Sequence, residues 1–268
     1  IFDEAMRPLY FPTVNDIMNN MVTRKLPLSI DPCPISESVF EIRYQPRVPV
    51  DAVFGILYSL VGKYFKDPPV SLPILQLPEA IRTQNPDLAY QPHYRLGNGN
   101  LILSIGPKTL TFSNIRPYMG WGKWSSFFES LLDDIKTSNV INYVERTGLR
   151  YINVFDKGIL SNIELEIKLK DKVLLDESTT FRSEILDSGL IKILQIGSTV
   201  SISTDGKERT GSLIDIDCIT NLNESADDFF KHYREVASLS HTKEKELFYD
   251  LLKPEFLATL NPIYGDEA

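Results

Sequence analysis

Two aspartates separated by one residue are the closest approach to a catalytic pair in this chain. Asp215 and Asp217 lie in a predicted strand over Ser212–Thr220, so both carboxylates project from one face about 7 Å apart. Carboxylate pairs of this kind hold the ions of two-metal phosphoryl-transfer enzymes. The alternative is a solvated strand face, on which lysines of neighbouring strands such as Lys192 balance the acids. No motif ties a third acidic or histidine ligand to the pair.

Charged side chains also interrupt two other apolar strands. Glu41 and Arg43 lie in one of them, and Arg146 and Arg150 lie in another about a hundred residues later. Arginines two positions either side of Gly148 share one strand face, with room between them for a ligand or another backbone. These residues predict either a buried ion-paired network between the two strands or a pocket for an anion or peptide carboxylate.

Aromatic residues and glycines are concentrated in the segment Arg116–Trp124. One interpretation is a recognition loop, in which Tyr118 and Trp121 stack on a base or fill a pocket of a partner. The other is a packed start of the helix that follows. The glycine spacing does not match a phosphate-binding loop.

Other common catalytic patterns are missing from the sequence. The three histidines have no metalloprotease spacing, no serine lies in a nucleophile elbow, and Cys33 and Cys218 lack metal-ligand or redox spacing. We therefore predict no cofactor, and we expect the two cysteines to be reduced thiols in a cytoplasmic protein.

Composition narrows the class of partner. The net charge is -8, and hydrophobic residues make up 43% of the chain, as in an ordinary globular protein. The acidic balance disfavours general binding to nucleic acid, which needs a concentrated basic face. No apolar run approaches the roughly 18 to 20 residues that cross a bilayer, so we expect no membrane insertion.

The elements that position these residues predict an α+β protein of two joined halves, each an antiparallel-rich sheet packed by helices. Residues 26–156 read as strand, helix, three strands, helix and strand, an order related to a ferredoxin-like layer. Residues 157–268 read as four strands, beginning with Ile163–Lys170, followed by C-terminal helices. Residues 1–25 form an N-terminal extension. The proline-rich segment, residues 67–92, contains six prolines and predicts a surface stretch with little regular structure. It is either a functional loop or an ordered strap that covers the sheet edge or a helix face.

Two segments resemble the signatures of a sporadically distributed bacterial family to which no biochemical activity is firmly assigned. They are Pro34-Ile-Ser-Glu-Ser-Val-Phe-Glu-Ile-Arg-Tyr44 and Gly148-Leu-Arg-Tyr-Ile-Asn153. The resemblance extends from about Leu26 to the C-terminal helices. It transfers no catalytic role, and it implies an accessory or antitoxin-like component of a defence or mobile-element module.

The sequence thus favours a non-catalytic binding protein of the bacterial cytoplasm that holds a protein partner or forms a homo-oligomer. The expected binding residues are Arg43, Arg146, Arg150, Tyr118 and Trp121. The alternative is a metal-dependent enzyme acting on a nucleotide or nucleic acid through Asp215 and Asp217.

Overall fold

The structure is a computed structural model of the 268-residue chain. The residues it describes are 25–86, 88–156, 158–173, 178–187, 189–204 and 207–265. Apart from Lys25, the predicted N-terminal extension lies outside this part of the chain.

One large antiparallel sheet dominates the fold. Its nine strands run in the order β2-β3-β4-β5-β1-β6-β11-β10-β9, and β7 and β8 form a separate small hairpin. The strands are β1 (Ile35–Pro46), β2 (Val70–Ser71), β3 (Tyr94–Asn98), β4 (Leu101–Ile105), β5 (Thr109–Ile115), β6 (Ile141–Phe155), β7 (Lys168–Leu169), β8 (Lys172–Val173), β9 (Thr180–Asp187), β10 (Leu190–Thr204) and β11 (Lys207–Ser225).

Helices follow or interrupt the strands. They are α1 (Val50–Val61), α2 (Glu79–Gln84), α3 (Trp121–Thr137), α4 (Ala226–Leu251) and α5 (Pro254–Thr259), with short 3-10 turns at Gly62–Tyr64, Pro73–Gln76 and Leu160–Asn162. The predicted α+β class with C-terminal helices is confirmed. None of the helices in the described ranges is long and apolar enough to cross a membrane.

Alternation along β1 gives the sheet two different faces. Phe40, Ile42 and Tyr44 are fully buried on the side of α1, α3 and α4. Glu41 and Arg43 point to the opposite side because successive strand residues alternate between faces. We call this opposite side the open face.

Two hydrophobic cores lie under the helices. The first packs α1, α3 and the first half of α4 on β1 and its neighbours, with Phe128 and Phe229 fully buried. The second packs the end of α4 and α5 on β10 and β11, with Ile216 and Cys218 fully buried. Because α4 contributes side chains to both cores, it packs across the two ends of the sheet.

The two predicted halves share this sheet through the pairing of β6 with β11, which runs from Ser212↔Phe155 to Ser225↔Tyr143. The segments 26–156 and 157–268 therefore lie side by side in one sheet. The ferredoxin-like relation of the first half stays a prediction.

Two stretches differ from their sequence patterns. The alternation over Ile163–Lys170 predicts a full strand, yet only Lys168–Leu169 pairs, with β8. The physical reason is that Ile163 is buried in the second core and bridges Leu252 just after α4, whereas Leu169 is exposed. The proline-rich segment also carries more regular structure than expected, since it contains β2, one 3-10 turn and α2.

Candidate functional site

A cavity of about 340 Å³ lies on the helix side of the sheet, between the start of α3 and the C-terminal half of α4. We call it the α3–α4 cavity. Its other walls come from β6 and from the segment that precedes β1. It is lined by Leu28, Ser29, Ile30, Cys33, Pro34, Ile35, Tyr118, Met119, Gly120, Trp121, Tyr151, Asn153, His241, Glu244, Lys245, Phe248 and Tyr249.

Aromatic rings form one side of this cavity. The Trp121 ring stacks on the His241 ring with centroids 4.2 Å apart and planes 8° from parallel. Gly120 precedes Trp121 with φ +88, a left-handed conformation that favours glycine and turns the chain into α3. Trp124 packs edge-on against Tyr118 and lies fully buried behind the wall. The chain thus presents a fixed, apolar stacking surface.

A short chain of hydrogen bonds links this wall to the sheet. The hydroxyls of Tyr118 and Tyr151 share a hydrogen bond of 3.3 Å, and the Tyr151 hydroxyl shares another of 3.0 Å with Nδ1 of His241. These bonds fix the orientation of three rings from three different elements.

Three polar side chains of the cavity have no partner in the described part of the chain. Glu244 is only 5% exposed and its carboxyl group receives no hydrogen bond or ion pair from a described residue. The Asn153 side chain is 2% exposed, and its Nδ2 donates to no described acceptor. Half-buried Lys245 likewise forms no ion pair there. An unpaired buried polar group costs roughly 1–3 kcal/mol, so this arrangement calls for a ligand or water.

Burial moves the ionisable groups of the cavity toward their neutral forms. Burial raises the pKa values of the Cys33 thiol and of the Tyr118 and Tyr151 hydroxyls. It lowers the pKa of His241 to about 3 and raises that of Glu244 to about 8. The same cause lowers the pKa of Lys245. At neutral pH the walls therefore hold neutral tyrosine, cysteine and histidine side chains, and the Glu244 carboxyl group is mostly protonated unless a cation binds beside it.

The open face carries a separate charged network. Oε1 of Glu41 accepts hydrogen bonds from Nε of Arg43 at 2.8 Å and from Nη2 of Arg146 at 2.9 Å. Arg150 donates to both oxygens of Asp215, from Nε at 2.8 Å and from Nη2 at 2.6 Å. The arginines predicted as an anion pocket are thus already matched by carboxylates.

The two aspartates of the candidate metal site have different surroundings on this face. Asp215 also accepts from Nε2 of Gln195 at 3.2 Å, so both of its oxygens have partners. Burial raises the pKa of Asp217 to about 6, against the opposing influence of Arg146 and Arg150. Within the described ranges no three His, Cys, Asp or Glu side chains converge as metal ligands.

The predicted binding residues therefore separate into two places. Tyr118 and Trp121 line the α3–α4 cavity, and their rings pack against the protein at the start of α3. Arg43, Arg146 and Arg150 lie across the sheet on the open face.

No family model matches this sequence, and no curated protein matches it. The resemblance to the sporadically distributed bacterial family accordingly stays a prediction.

Sequence reasoning missed most of the polar cavity residues, although the sequence contains two signals for them. Tyr151 and Asn153 alternate with Arg150 in one signature segment, so they point to the opposite face from the arginine. His241 and Glu244 stand three residues apart on the apolar stripe of α4, where polar residues are exceptional.

A second cavity, of about 370 Å³, lies between α1 and the proline-rich segment. Arg82, one of its charged residues, donates from Nε to the Leu77 carbonyl at 3.1 Å and contacts the His93 ring. Arg82 and His93 thus have partners in this second cavity.

Proposed function

We propose that this chain is a non-catalytic binding protein that holds a small ligand in the α3–α4 cavity. The observation that carries the proposal is the meeting of a rigid aromatic wall with the buried, unpartnered side chains of Glu244 and Asn153. Small-molecule sites are typically apolar concavities of roughly 300–1,000 Å³ with a few convergent polar groups.

The states of Cys33 and His241 favour binding over catalysis at these two residues. A cysteine acts as a nucleophile only as the thiolate, and burial raises the pKa of Cys33. A general base works best when its pKa lies near the operating pH, whereas the pKa of His241 is lowered to about 3. Both groups are suited to hydrogen bonding and packing.

The test is retention of a small molecule. The purified protein would be equilibrated with a low-molecular-weight cell extract, re-isolated and denatured, and the released molecules would be identified by mass spectrometry. Cys33→Phe should fill part of the cavity, and Leu186→Phe, at an exposed position of β9, is the control.

We expect the parent and Leu186→Phe to retain the same one or few molecules in near-stoichiometric amounts, and Cys33→Phe to lose them. Retention of nothing by the parent, or equal retention by all three proteins, would overturn the proposal.

A protein partner is a second candidate, because the proline-rich segment carries several exposed aliphatic side chains. The exposed residues are Val70 on the edge strand β2, Leu77 just before α2 and Ile81 on α2. Apolar residues at the centre of a polar rim are the usual anchors of protein interfaces.

Pull-down from a bacterial lysate tests this second candidate. A single protein retained by the parent should be lost with Leu77→Asp/Ile81→Asp and kept with the control Leu169→Asp, which changes an exposed leucine on β7. Equal recovery by all variants would show that Leu77 and Ile81 do not bind the retained protein.

A further inference from the structure

We propose that the ligand of the α3–α4 cavity is a small zwitterion, an α-amino acid with an apolar side chain and free amino and carboxylate groups. This inference rests on the proposed function and specifies the ligand class. It is carried by two side chains of opposite charge type, Glu244 and Lys245, which line one cavity and form no hydrogen bond or ion pair with each other, although each favours the charged form of the other.

Glu244 supplies the site for the amino group. Its carboxyl group lies in a 5% exposed side chain on α4 and has no hydrogen-bond donor among the described residues. An ammonium group offers three donors and a positive charge, and its binding beside Glu244 would favour the ionised form of this buried carboxyl group.

Lys245 and Asn153 supply the site for the carboxylate. Lys245 forms no ion pair in the described ranges, and Nδ2 of Asn153 is a buried donor without an acceptor. Both groups can only donate through these nitrogens. A ligand carboxylate, which can only accept, would satisfy the two together.

The two ionisable groups distinguish a zwitterion from simpler ligands. A simple amine would place its cation beside Lys245, where like charges repel, and would leave Nδ2 of Asn153 without an acceptor. A simple carboxylate would leave Glu244 without the cation that favours ionisation of its buried carboxyl group. A ligand that carries both charges supplies both partners.

The remaining walls fit an apolar side chain. The stacked rings of Trp121 and His241 face the cavity, as do Phe248 and Tyr249 of α4. The volume of about 340 Å³ lies at the lower end of the range of small-molecule sites, roughly 300–1,000 Å³. A single amino acid suits this size better than a nucleotide or peptide.

Calorimetric titration tests the ligand class with L-leucine, L-methionine and L-phenylalanine, and with two analogues of the last, phenethylamine and 3-phenylpropanoate. The chain contains two tryptophans, and Trp121 lines the cavity while Trp124 packs behind it. Intrinsic fluorescence therefore provides an independent signal for the same titrations.

We expect at least one of the three amino acids to bind. Both singly charged analogues should bind at least about tenfold more weakly than L-phenylalanine, since each leaves one polar group of the site unpaired. Glu244→Gln should remove the discrimination against 3-phenylpropanoate, and Lys245→Gln the discrimination against phenethylamine. Glu235→Gln, at an exposed position of α4, is the control and should change neither.

Equal or tighter binding of either analogue would overturn the zwitterion proposal. Failure of all three amino acids to bind would also overturn it. If the extract experiment still recovers a cavity-dependent molecule, the proposed binding function stands and only the ligand class is wrong. If that experiment recovers nothing, the binding function itself fails.

Discussion

Arg150 and Arg182 each donate to a carboxylate on the open face, but the two ion pairs differ in exposure. Asp215, the partner of Arg150, has a side chain only 3% exposed, whereas Glu184, the partner of Arg182, has a side chain 56% exposed. A carboxylate left buried without its partner is costly, while an exposed pair contributes little.

We predict that Arg150→Met destabilises the protein by about 2 kcal/mol. This is below the value of roughly 3–5 kcal/mol for fully buried pairs, because the Arg150 side chain is 42% exposed. Arg182→Met should cost less than about 1 kcal/mol. Urea unfolding of the two variants measures the difference, and similar losses in both would contradict the prediction.

Glu244 makes stability depend on pH in a defined direction. Burial raises its pKa from 4.5 to about 8, so the folded state holds this proton more firmly than the unfolded state does. The stability contribution is complete below the unfolded pKa and is lost as the pH rises toward the folded one.

We therefore expect the parent to lose stability relative to Glu244→Gln between about pH 5 and pH 8, by up to about 1.4 kcal/mol per pH unit. Thermal unfolding across that range, with Glu235→Gln as the control, tests the slope. Parallel curves for the parent and Glu244→Gln would show that the carboxyl is already ionised in the folded protein.

At the scale of elements, the sequence predicts those that carry local signals. The Asn-Gly turn between β3 and β4 and the aromatic stripe of α3 are such signals, and both elements form where expected. The stretch over Ile163–Lys170 has alternation too, but pairing needs a neighbouring strand, which lies outside any local pattern. The strand β2 in the proline-rich segment was unpredictable for the same reason, since it forms by pairing with β3.

In the candidate site, too, only the residues with a local sequence signal could be predicted. Tyr118 and Trp121 are recognisable from their dense aromatic segment. Glu244, Lys245 and Asn153 come from α4 and β6, and only the packing of that helix on that strand brings them to one cavity. Their convergence is a tertiary property, so sequence reasoning did not find it.

The start of α4 was predictable from a single residue. The Ser225 hydroxyl accepts a hydrogen bond from the Asp228 backbone N–H at 3.2 Å and caps the helix, as the sequence predicts. We expect Ser225→Ala to lower the free energy of unfolding by about 1 kcal/mol. Chemical denaturation measures this loss, with Ser126→Ala on the exposed side of α3 as a control. An unchanged midpoint for Ser225→Ala would contradict the prediction.

At the scale of the whole molecule, the sheet and α4 join the segments 26–156 and 157–268. β6 and β11 pair along most of their length, and α4 contributes side chains to both cores. Removal of 157–268 would take α4 away from the first core, and removal of 26–156 would leave β11 without its partner β6.

We predict one cooperative unfolding transition for the full chain. Tryptophan fluorescence, which reports on the first core through Trp121 and Trp124, should coincide with far-ultraviolet circular dichroism, which reports on all elements. A fragment ending at residue 156 should fail to give a cooperative transition. Two separate transitions, or a stably folded fragment, would show that the halves are independent.

The limited exposure of both thiols bears on how the protein behaves under oxidising conditions, since Cys218 is buried and Cys33 is half-buried. Burial raises the pKa values of Cys33 and Cys218, and only the thiolate reacts readily with oxidants, alkylating reagents or disulfides. The native protein should consequently resist covalent cross-linking between copies through cysteine, and it should need little reducing agent during purification and storage.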